Sequence, residues 1–131
     1  MRLASLTLIV AAALLVSCGN SGLPTSSLTI RNAATNALIS APTAQGVLSI
    51  TVGGGEQVKV MRTWTNEFGN TLTDDVTQFT NFKWESGTSF AAFDQLGNIT
   101  GLAAGIAVLE AKFRTDAFEP WDICRLTVEV I

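Results

Sequence analysis

At 131 residues the chain has room for one ordinary domain, which excludes a large multidomain enzyme. Its formal charge of −3 lacks the basic surplus that displaces counterions from phosphates, so no nucleic-acid partner is expected. There is no histidine, which excludes Ser-His-Asp and Cys-His catalysis and His-ligated zinc.

Met1 to Cys18 hold 14 apolar residues in 18 positions, and this segment supplies much of the mean hydropathy of +0.36. Arg2 precedes an apolar run from Leu6 to Val16. That run has the length of a signal-peptide core and is shorter than the roughly 20 residues a spanning helix needs. It ends in Leu15-Val16-Ser17-Cys18, which resembles the bacterial lipobox. The resemblance implies cleavage before Cys18, a diacylglyceryl thioether on its sulfur and a lipidated mature N-terminus, so that the membrane is a partner through the lipid. Gly19 stands where the enterobacterial sorting rule places an inner-membrane aspartate. The resemblance therefore implies an outer-membrane or cell-surface location. Removing Arg2 takes the formal charge from −3 to −4, and a thioether at Cys18 leaves Cys124 without a disulfide partner.

Residues 19–46 are rich in Ser, Thr, Asn, Ala and Gly, contain Pro24 and Pro42, and carry Arg31 as their one charge. That composition predicts a flexible linker, with a short strand at most around Leu28 to Ile30. Beyond it, short alternating runs separated by turn residues predict strands at 48–52, 56–65, 79–86, 89–94, 106–113 and 121–131. Residues 66–78 are expected to form a long loop, and Gly97 to Gly101 a tight connection. The last strand alternates most clearly, with Cys124, Leu126, Val128 and Val130 inward and Arg125, Thr127 and Glu129 outward. Arg62 shares the parity of Val58 and Val60, which predicts that the second strand leaves the core or bulges there.

The wording of these strands carries a resemblance. Phe82-Lys83-Trp84-Glu85-Ser86, Ala91-Ala92-Phe93-Asp94, Gly97-Asn98-Ile99-Thr100-Gly101-Leu102-Ala103-Ala104-Gly105 and Ala107-Val108-Leu109-Glu110-Ala111 together resemble a bacterial immunoglobulin-like domain of group 2, over about residues 48–130. The resemblance implies an all-β immunoglobulin-like sandwich of about seven strands in Greek-key order, with Trp84 as its large buried ring. The expected organisation is a lipoprotein signal peptide at 1–17, lipidated Cys18 and linker at 18–46, and the sandwich at 47–131.

Candidate chemistry is sparse. Asp74 and Asp75 are a weak calcium candidate, since adjacent acids in a polar loop serve more often as solvated turn formers and no EF-hand spacing is present. Glu85 and Glu110 could be imagined as a glycosidase pair, but alternation turns both outward, and no enzyme activity or cofactor is expected. Cys124 shares the inward row and reads as a small buried hydrophobe. Phe118 and Trp121 are the binding candidates. They are either exposed together, able to stack on a sugar or anchor a protein, or folded back to cap the sandwich. The expected function is a membrane-anchored envelope lipoprotein acting as a non-enzymatic binding or adhesion module for protein or glycan. The alternative is a structural subunit that packs against an envelope complex or filament, for example by adding a strand to another sheet.

Overall fold

The computed structural model describes residues 26–131, so the leader, Cys18 and the first part of the expected linker lie outside the described residues. In chain order the strands are β1 (Ser26–Asn32), β2 (Leu38–Ser40), β3 (Gly46–Ile50), β4 (Gly55–Thr65), β5 (Thr71–Asp75), β6 (Asn81–Ser86), β7 (Ala91–Phe93), β8 (Asn98–Gly101), β9 (Gly105–Phe113) and β10 (Asp122–Val130). A single 3-10 turn at Thr77–Phe79 separates β5 from β6. One sheet runs β2-β1-β4-β8-β7 with β5 also on β4, and the other runs β3-β10-β9-β6. The fold class is the predicted all-β, immunoglobulin-like sandwich, with ten strands among the described residues instead of about seven.

Period-2 alternation builds the core. From the first sheet Leu28, Ile30, Val58, Val60 and Ile99 are fully or almost fully buried, and from the second Ala107, Leu109, Ala111, Cys124, Leu126, Val128 and Val130 meet them. β10 is central in its sheet, antiparallel to β9 and parallel to β3. At one margin Phe93 on edge strand β7 lies 5.5 Å from Phe82 and 5.6 Å from Trp84 on edge strand β6, measured between ring centroids. Trp84 is half-buried at that margin; it is not the enclosed ring the resemblance implied.

The linker expected at 18–46 is corrected over its described part. β1 pairs with β4 residue for residue from Ser26 opposite Trp64 to Asn32 opposite Val58, and it buries Leu28 and Ile30 completely. Ser27 and Thr29, among the residues that made the segment look unstructured, occupy the alternate positions, while the backbone finds its hydrogen-bond partners in β4. β2 is pinned by Ser40, whose buried hydroxyl donates to the Arg125 carbonyl and accepts from the Gly46 amide at 2.9 Å. The sandwich therefore includes at least residues 26–46 as well as 47–131.

Two loop expectations change as well. The 66–78 segment contains β5, which forms a hairpin with β4 in the register Met61 to Asp75 and Arg62 to Asp74. Residues 98–101 are a strand, β8, that pairs with both β4 and β7. Gly97, just before it, has φ +88, and a Cβ there would lie 2.1 Å from the Val58 carbonyl oxygen. Gly101 meets a different requirement, because a Cβ there would sit 2.6 Å from the Thr51 carbonyl oxygen.

Candidate functional site

The inward rows of four strands run out at one end of the sandwich, and there the apolar layers give way to a polar one. Ser26 continues the row of Leu28 and Ile30, while Arg62 and Trp64 continue that of Val58 and Val60. Facing them, Phe113 continues the row of Leu109 and Ala111, and Asp122 that of Cys124 and Leu126. β4 does not bulge to expel Arg62, since its pairing with β1 is unbroken through this position.

This terminal layer bounds a cleft of about 620 Å³, which Val76, Asp74, Thr115, Glu119 and Pro120 complete. The Arg62 guanidinium carbon lies 5.5 Å from both the Trp64 and the Phe113 ring centroids, so a cation from one sheet is held between an aromatic of its own sheet and one of the other. Arg62 Nε is 3.6 Å from Asp122 Oδ2, and the two side chains are only 11% and 17% exposed. Asp122 Oδ2 also accepts from the Ser26 hydroxyl at 2.6 Å. Trp64 Nε1 donates to Asp74 Oδ2 at 2.8 Å, which fixes the plane of the ring. Arg62 Nε is buried without an acceptor within hydrogen-bond reach. Among the described residues the remaining donors of its guanidinium also form no hydrogen bond.

Two loops extend beyond this layer. The β4–β5 turn carries Phe68, 79% exposed, and the β9–β10 connection carries Phe118, 98% exposed. Asp116 Oδ1 accepts the Phe118 amide at 2.7 Å, and Glu119 Oε1 accepts from the Thr115 hydroxyl, so the second loop is locally ordered by its own acids. Phe118 is fully presented to solvent. Trp121 is not exposed with it: the ring is half-buried, with Lys112 Nζ 4.6 Å and the Arg114 guanidinium carbon 4.1 Å from its centroid. Trp121 lines a separate groove beside Phe79 and Gln95. The two candidates thus belong to different surfaces.

Asp74 and Asp75, as neighbours on β5, point to opposite faces. Asp74 enters the cleft and is engaged by Trp64, whereas Asp75 Oδ1 accepts from the amide and hydroxyl of Thr77 at 3.0 and 2.6 Å. The structure does not bring them together as ligands of one ion. Glu85 and Glu110 do converge, on the outer face of the second sheet, where Arg125 holds both. Arg125 Nε lies 2.9 Å from each Glu85 oxygen, and its Nη2 lies 3.2 Å from Glu110 Oε2. The hydrogen bond from Arg125 holds the Glu85 carboxyl below its usual value. Cys124 is buried, and burial pushes its thiol pKa up.

Arg62, Trp64, Phe113 and Asp122 were legible as a set only by following parity to the strand ends. A charged residue on the inward row of one sheet, Arg62, requires a counter-charge on the inward row of the other, and Asp122 is the acid in that row. The chain matches no family model and no curated protein.

Proposed function

We propose that the chain is a lipid-anchored envelope lipoprotein whose single sandwich is a non-enzymatic binding or adhesion module for a protein or glycan. The observation that supports this most is the end of the sandwich that holds an aromatic-walled cleft, where the β4–β5 and β9–β10 loops carry exposed Phe68 and Phe118 outside its lining. Isolated exposed aromatics are ordinary, but two at the loop tips beside a concave site have the makings of an anchor pair around a pocket. The lipobox resemblance at Leu15 to Cys18 supports the anchor, and none of the described helical residues forms a span long and apolar enough to cross a membrane.

The test is capture on arrays of glycans and envelope proteins by the parent chain and by Phe68→Ser plus Phe118→Ser. Binding that the double variant loses supports the module; binding that it retains moves the contact elsewhere. Metabolic labelling with a fatty-acid analogue, in the parent and in Cys18→Ser, tests the anchor separately.

The assembly alternative has one observation of its own. β5 pairs only with β4 among the described strands, every residue of it is exposed, and its free edge is able to accept another strand. Copurification of a stoichiometric partner that is lost on Thr73→Pro would favour this reading.

A further inference from the structure

We propose that the cleft at the end of the sandwich is a saccharide site, and that its ligand is a neutral sugar lying against the layer in which Arg62 rests on Trp64 and Phe113, packing on the apolar surface of that layer and hydrogen-bonding to its polar groups. The proposal deepens the binding-module reading and rests on it.

The chemistry of the walls selects the ligand class. A sugar ring presents an apolar C–H face and a rim of hydroxyls that each donate and accept. The cleft offers the complements of both: Trp64, Phe113, Pro120 and Val76 as apolar surface, Arg62 as donor, Asp74, Asp122 and Glu119 as acceptors, and the Ser26 and Thr115 hydroxyl oxygens, whose protons already go to Asp122 and Glu119, as further acceptors. The donor fork of Arg62 is already oriented by the rings on which it rests and by Asp122 at 3.6 Å, so little side-chain freedom remains to be lost when a ligand arrives. Trp64 is likewise fixed through its bond to Asp74.

Charge argues against the other classes. An anionic ligand would have to approach three carboxylates, Asp74, Glu119 and Asp122, for the sake of one guanidinium that is already paired. A cationic ligand would be drawn by the three carboxylates, but each already has a partner, Asp74 in Trp64, Glu119 in Thr115 and Asp122 in Ser26 and Arg62. A neutral polyol uses donors and acceptors together without separating these pairs. The volume of about 620 Å³ lies within the ordinary range of small-molecule sites and suits a short oligosaccharide.

The experiment follows the three tryptophan indole N–H signals of the full-length chain, labelled with nitrogen-15, in a sugar-free detergent, each assigned from its Trp→Phe variant. The probes are maltotriose, mannotriose and chitotriose, with trigalacturonate and chitosan trimer as acidic and basic counterparts. The expected result is a saturable shift of the Trp64 signal with at least one neutral trimer while Trp121 stays still, and binding of the charged trimers weaker by roughly tenfold or more. Arg62→Lys keeps the charge opposite Asp122 and removes the fork, so it should weaken the neutral trimer by about tenfold, moving the free Trp64 signal and leaving those of Trp84 and Trp121 unchanged. Tighter binding of a charged trimer, or an unmoved Trp64 signal at millimolar neutral trimer, overturns the proposal. Should the arrays detect a ligand that leaves Trp64 unmoved, the module stands and the cleft assignment falls. Should neither experiment detect binding, both fall.

Discussion

Arg62 and Asp122 join the two sheets across the open end of the sandwich, Nε to Oδ2 at 3.6 Å, with each side chain more than four-fifths buried. A pair so placed is expensive to half-remove, because the remaining charge stays in a poorly solvated site. Asp122→Ala is therefore expected to cost about 3 kcal/mol, and Ser26→Ala, which removes one hydrogen bond to the same carboxylate, about 1 kcal/mol. Urea midpoints at unchanged slope would measure both. Equal small losses would mean that the pair is solvated and holds nothing together.

Gly97→Ala should be costly through the backbone alone. The residue has φ +88, and its new Cβ would collide with the Val58 carbonyl, next to the hydrogen bond from the Val58 amide to the Gly97 carbonyl at 2.9 Å. Left-handed strain of about 1–3 kcal/mol is the minimum expected, and thermal unfolding should register it. Gly69→Ala shares the positive φ but meets nothing within 4 Å, so it is expected to lose less.

Acid should weaken the second sheet through Glu85. Its carboxyl is held below the ordinary 4.5, first by the hydrogen bond from Arg125. A lowered folded value means that the stabilisation is complete above about pH 4.5 and is lost as pH falls through the folded value. In Arg125→Gln the parent's extra stability above pH 4.5 should shrink, and the side-chain carbon shift of Glu85 should titrate in the ordinary carboxylate range. A Glu85 titration unchanged by the substitution would separate the two groups.

Cys124 should resist a thiol reagent in the native state and react only as fast as the domain opens, since the side chain is enclosed and burial disfavours the thiolate. Fast labelling without denaturant would contradict the enclosed position.

Phe118→Ser is expected to leave stability within about 0.5 kcal/mol, because the ring touches almost nothing when 98% exposed. Trp121→Ala should cost more, through the lost contacts with Lys112 and Arg114. Calorimetry on the pair would reveal whether the two rings differ as their surroundings do.

Alternation made β4, β9 and β10 readable, because each buries one face along most of its length and a buried face writes itself as a period of two. β5 left no such trace: Thr71 to Asp75 bury neither face, and what holds them is the backbone ladder with β4. β1 did carry the signal, Leu28 and Ile30 between Ser and Thr, but its low charge and small residues spoke for a linker, and only the partner strand decides between them. The cleft was half-legible. Arg62 stood out on an inward row, yet its counter-charge lies 60 positions later, and parity alone does not show which strand ends face one another. Phe118 and Trp121 were legible as aromatics in a loop but not as belonging to different surfaces, which depends on where Lys112 and Arg114 reach.

The placement of β10 between β3 and β9 sets an order of events for the nascent chain. Ser49 bonds to Glu129 across 80 positions, and Ser26 to Asp122 across 96. Separations of this size put the domain among topologies that fold slowly, in milliseconds to seconds, since loop closure precedes any reward from packing. Until the last strand emerges, β3 and β9 have no common neighbour and their apolar rows stay open to water. A chain synthesised from its N-terminus would therefore remain loosely ordered until nearly all of it was free. Removal of the final ten residues should accordingly abolish the fold as a whole and not merely shorten it.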